Sequence, residues 1–126
     1  MIIRKQLTEA DARTAITEGE FAESVRASGE NVAIVLTQHW CPQWTAMQHW
    51  LGKLERKNRP EDLDVEVYEL EYDKVDYGSE FMRFKESVFG NSLIPYVRYY
   101  HNGDLIGETN FVGADRFLGY FGQKDS

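Results

Sequence analysis

The chain is 126 residues long, with a formal net charge of −7, a single cysteine and three histidines. A lone cysteine excludes an intramolecular disulfide framework, and a chain of this length buries roughly two thirds of its unfolded surface, enough for an ordinary apolar core. The negative charge, with no Lys or Arg cluster set against it, opposes nucleic-acid binding, and 42% hydrophobic with 13% aromatic residues excludes disorder.

The segment from Met1 to Glu9 turns charged before any signal-like apolar stretch, and no later apolar run reaches membrane-spanning length. A cytoplasmic protein without a membrane partner is the expectation. No repeat and no Pro/Gly/Ser-rich linker divides the chain, so one domain is expected over 1–126.

In chain order, Thr8 with Asp11 and Thr17 with Glu20 both have the spacing of a capping box. The sequence favours a first helix over about 18–27, ended by Ser28-Gly29, and leaves residues 1–17 unassigned. Asn31 to Gln38 contains the apolar run Val32-Ala33-Ile34-Val35-Leu36, expected of a strand covered on both faces. From Pro42 to Lys57, Trp44, Met47, Leu51 and Leu54 recur at helical intervals, and Asn58-Arg59-Pro60 is the stop signal.

Asp64 to Tyr72, rich in Val and Tyr, predicts a second strand. Ser79 is the predicted cap of a helix whose Phe81, Phe84, Lys85 stem, Val88 and Phe89 share one face, with Gly90 at its end. Asn102-Gly103 between apolar runs at 96–100 and 105–109 predicts a β-hairpin, and a closing helix is expected over 114–121. This order describes an α/β sandwich with helices on both faces of a mixed sheet.

The chemistry concentrates at Trp40-Cys41-Pro42-Gln43-Trp44, where the first central strand hands over to the long helix. Pro42 suits the first helical position and biases Cys41 toward the angles of an N-cap. A sulfur there faces the N–H groups of Gln43 and Trp44 and the positive end of the helix dipole, which favour thiolate over thiol. Leu93-Ile94-Pro95 stands just before a strand, a position where proline breaks no ladder bond and sometimes follows a cis peptide.

Together these residues resemble the thioredoxin superfamily, over about 31–121 with a looser match back to Glu18. The family writes its active site Trp-Cys-Gly-Pro-Cys after a central strand; here Trp40, Cys41, Pro42, Gln43 and Trp44 stand there. Phe89-Gly90, Ile94-Pro95, the Asn102-Gly103 turn and Val112-Gly113-Ala114 follow in the family's order. The resemblance implies a thioredoxin-like three-layer sandwich, Pro95 as the family's cis-proline opposite the cysteine, and an Ile94 backbone that pairs with bound peptide. Two departures stand out: the family's resolving cysteine is Trp44 here, and its buried acid falls on Val35. Dithiol reduction is therefore not expected.

What remains is monothiol exchange, with Cys41 attacking a disulfide, Trp40, Ile94 and Pro95 contacting the partner, and the mixed disulfide resolved by an external thiol such as glutathione. The Cys-Gly-Phe-Ser loop of monothiol glutaredoxins is absent, and no residue set for glutathione stands out. The alternative is a non-catalytic binding or scaffolding module, with Cys41 a buried inert side chain and Trp40 part of a protein interface. Trp44 shares its face with Met47 and Leu51 and reads as core.

His39 is a candidate cation beside the sulfur. His49 lies about 12 Å along the axis from Cys41, so no metal site is expected, and no cofactor either. Glu66, Glu69, Glu71, Asp73 and Asp76 read as a solvated acidic face.

Overall fold

The computed structural model describes residues 1–57, 59 and 62–122. Its centre is a five-stranded sheet of β1 (Ile2–Gln6), β2 (Asn31–Thr37), β3 (Val65–Glu71), β4 (Tyr96–His101) and β5 (Asp104–Thr109), in spatial order β1-β3-β2-β4-β5. β1 and β2 run parallel to β3, β4 is antiparallel to β2, and β5 is antiparallel to β4. Among the described residues five α-helices accompany it: α1 (Glu9–Glu18), α2 (Glu23–Arg26), α3 (Pro42–Lys57), α4 (Gly78–Ser87) and α5 (Ala114–Gly119).

Every residue of β2 is buried, and its pleat divides the core in two. Val32, Ile34 and Leu36 pack with Ala12 and Ala15 of α1, Phe81 and Phe84 of α4, and Phe21. Ala33 and Val35 pack with Trp44, Met47 and Leu51 of α3 and Phe117 of α5. The result is the expected three-layer α/β sandwich.

The N-terminal region differs from its sequence reading. Residues 2–6 form an edge strand that buries only Ile2, too little for alternation to show. Thr8 does cap α1, accepting from the Asp11 N–H at 3.1 Å, but the helix occupies Glu9–Glu18 rather than 18–27. Gly19 ends it at φ 83°, and only the single turn α2 remains of the helix expected further on. Thr17 lies inside α1, so it caps nothing, and the Glu20 carboxylate accepts from Arg98 and Tyr100 on β4.

Ser79 is not the cap of α4. Tyr77 holds that place, and Val88, expected on the apolar face, is exposed beyond the helix end. α5 closes at Gly119, with Phe121 still buried against the sheet. The hairpin turns through Asn102 and Gly103, both at positive φ (51° and 87°). The Asn58 and Pro60 stop signal lies outside the described residues.

Candidate active site

β2 ends at Thr37, and the next four residues climb to the head of α3. The Cys41 N–H donates to Gln38 O at 3.2 Å, and Cys41 O accepts from the Thr45 N–H at 3.1 Å, the first turn of α3. Cys41 thus occupies the helix-capping position, with Pro42 at the first helical residue. Its side chain is 4% exposed and belongs to the apolar cluster of Val35, Trp44 and Val97. The Sγ–H approaches Ile94 O at 4.0 Å. The Ile94–Pro95 peptide is cis; Ile94 is half-buried and Pro95 buried. Cys41, Ile94 and Pro95, distant in sequence, therefore meet at the same end of the sheet.

Trp40 is 64% exposed beside this point, and its indole N–H donates to Gln38 Oε1 at 2.6 Å. Trp44 turns the other way into the core, and its indole N–H donates to Glu71 Oε2 at 2.8 Å. The other oxygen of that carboxylate lies 3.4 Å from His39 Nδ1, while the His39 N–H donates to Asp73 Oδ1 at 2.7 Å. Pro42, Gln43 and His49 are exposed. Among the described residues no group of three or more His, Cys, Asp or Glu side chains is placed to hold a metal ion.

The acidic residues of β3 are not one solvated face. The odd positions of β3 lie on the α3 side, where Val65 and Val67 cluster with Met47 and Leu51: Glu69 is buried in a two-bond ion pair with Arg4 (2.6 and 2.9 Å), and Glu71 holds Trp44. Burial pushes the Glu69 carboxyl above the usual range, and the Arg4 guanidinium pulls the other way. Only Asp73 and Asp76 of the group are exposed.

Sequence reasoning missed the polar ties of the loop that carries Ile94. Lys85, from the inner face of α4, donates to Asn91 O at 2.9 Å and Leu93 O at 2.8 Å. Asn110 donates to Pro95 O and to Asn91 Oδ1, both at 3.0 Å. The sequence offers only a lysine beside phenylalanines on an apolar stripe, a pattern that does not say where the ammonium goes.

No protein-family model and no curated protein sequence matches the chain. Solved structures do. Thioredoxin O1 from Arabidopsis thaliana superposes with a TM-score of 0.63 at 13% identity, covering 97% of this chain and 96% of that one. Thioredoxin O2 from the same plant gives 0.62 at 17% identity over 95% and 92%. Thioredoxin f2 of Chlamydomonas reinhardtii gives 0.57 at 15% over 98% and 95%. The likeness runs nearly the whole length of both partners, and the chain has the thioredoxin fold. Among the described residues, no helix is long and apolar enough to cross a membrane.

Proposed function

We propose that this thioredoxin-fold chain performs redox chemistry with one thiol: Cys41 exchanges with a disulfide of a protein partner and holds that partner as a mixed disulfide. The observation that carries the reading is the meeting of the helix-capping Cys41 Sγ with the Ile94 carbonyl, 4.0 Å apart, beside buried Pro95. The Cys41 thiolate attacks one sulfur of the partner's disulfide, a new S–S bond forms, and the other partner sulfur leaves as a thiolate. A low-molecular-weight thiol then attacks the mixed disulfide and releases Cys41 as thiolate, becoming disulfide-bonded to the partner. Glutathione belongs to that class.

Val35 and Trp44 leave neither a carboxylate nor a second sulfur for internal resolution. A lone working thiol suits a reducing compartment such as the cytoplasm. The test is intact mass after exposure of the folded protein to a peptide disulfide. Wild type gains one peptide adduct that glutathione removes, and Cys41→Ser gains none. Absence of the adduct from wild type overturns the reading.

A second reading has its own observation: Cys41 is 4% exposed whereas Trp40 is 64% exposed. That contrast favours a non-catalytic binding module presenting Trp40 to a protein. A partner lost on Trp40→Ala and kept on Cys41→Ser would select it.

A further inference from the structure

Lys85 has no exposed surface. Burying an ammonium is costly unless its donors are met, and a leucine or methionine would continue the Phe81 and Phe84 stripe without that cost. Among the described residues Lys85 makes no ion pair. Its donors go to two main-chain carbonyls, Asn91 O and Leu93 O, and its charge sits 5.5 Å from the centre of the Tyr96 ring. Burial draws its pKa down to about 8, so at neutral pH the group is still largely the ammonium that makes charge-assisted bonds.

The same loop is tied from the opposite side. Asn91 and Asn110 exchange side-chain hydrogen bonds (3.1 and 3.0 Å), Asn91 Oδ1 accepts from the Leu93 N–H at 3.0 Å, and Asn110 also holds Pro95 O. The carbonyls of Asn91, Leu93 and Pro95 are therefore engaged internally, while Ile94 O is turned to Cys41 Sγ.

We propose that Lys85 is a positioning residue: by gripping the carbonyls on either side of Ser92, and with Asn110 as the opposing tie, it fixes the Ile94 backbone opposite Cys41 for an extended peptide partner. This rests on the Cys41 reading above. A loop already held in its binding shape loses little entropy when a strand-like peptide lies along it, whereas a small disulfide needs only the sulfur.

The experiment compares wild type with Lys85→Met, using 5,5′-dithiobis(2-nitrobenzoate) as the small probe and an extended apolar peptide with a central 2-thiopyridyl mixed disulfide as the large one. The rate with the small probe is expected to stay within about twofold, and the rate with the peptide to fall about tenfold, the loss matching one charge-assisted hydrogen bond. Amide exchange at 92–94 should accelerate about tenfold or more while amides of β2 and β4 hold their rates. Equal slowing of both probes, or no change in loop exchange, overturns the proposal.

If Lys85→Met fails to fold, Asn110→Ala at the half-buried opposing tie is expected to show the same separation between probes, and its absence there is equally fatal. A wild type unreactive toward both disulfides sinks the Cys41 reading instead, and loop exchange then decides by itself whether Lys85 holds the segment.

Discussion

At the head of α4, Gly78 lies so close to the Tyr72 carbonyl that a Cβ would fall inside the oxygen's van der Waals shell. The obstruction is backbone, and it belongs to the turn joining β3 to the helix, so relief requires moving one of the two. At Gly107 a Cβ would meet the Tyr120 ring instead, a half-buried side chain rather than backbone. Gly78→Ala is therefore expected to lower the unfolding free energy by about 2–3 kcal/mol and Gly107→Ala by roughly 1 kcal/mol or less, in the range for overpacking with and without relaxation. Urea denaturation of the two variants tests this, and equal losses would contradict it. Residue-scale legibility follows the same division between local and tertiary causes. Cys41 and Pro42 were readable because a proline at the first helical position acts on its own neighbour. The Lys85 grip was not, because a lysine on an apolar stripe looks the same whether its ammonium reaches water or folds back on a loop.

At the scale of elements, strands and helices with a strong periodic face were readable: β2 as an unbroken apolar run, α3 through Trp44, Met47 and Leu51, and the hairpin through Asn102-Gly103. β1 and α1 were not. The first buries one residue and the second mainly Ala12 and Ala15, so neither carries a pattern that outweighs its polar face. What docks β1 is partly ionic, since Arg4 gives two hydrogen bonds to Glu69 in the neighbouring strand. Removing Arg4 leaves a carboxylate buried without its cation, so Arg4→Ala is expected to cost about 2–3 kcal/mol at pH 7, below the range for fully buried pairs because Arg4 is partly exposed. The Glu69 carboxyl already titrates above its unfolded value, so its charged form opposes folding as pH rises through the folded pKa and the opposition vanishes below the unfolded one. Without Arg4 the opposition grows. The Arg4→Ala deficit should therefore shrink on acidification to about pH 4.5, and adding Glu69→Gln should remove most of its pH dependence. Denaturation curves at the two pH values decide, and a deficit indifferent to pH would mean the pair is not what holds β1.

Over the whole molecule the two faces of the sheet differ in how they fill their cores, and this shapes the response to alkali. The α1/α4 side contains a polar knot: Arg98 donates to the hydroxyls of Tyr96 and Tyr100 at 2.8 Å each and to Glu20 at 2.7 Å, and stacks 3.8 Å over Phe89. The α3/α5 side is aromatic, with Tyr99 stacked on Tyr120 at 4.0 Å and edge-on to Phe117 and Phe121. Burial raises the Tyr96 hydroxyl to about 12 and pushes those of Tyr99 and Tyr100 higher still, while it lowers Lys85 to about 8. The signs are opposite in effect. Between about pH 8 and 10.5 the unfolded chain keeps the Lys85 proton that the folded chain gives up, so stability rises with pH over that window, by about 2 kcal/mol up to pH 10. Above about pH 10 unfolded tyrosines lose protons that Tyr96, Tyr99 and Tyr100 retain, so the stabilisation present below that pH is lost as it climbs further. Unfolding free energy should therefore peak near pH 10 when urea curves are collected from pH 7 to 11.5 in a Cys41→Ser background, where no thiol titrates. Lys85→Met in that background should abolish the rising limb and leave the fall. A rising limb that persists in Lys85→Met would assign the titration to another group.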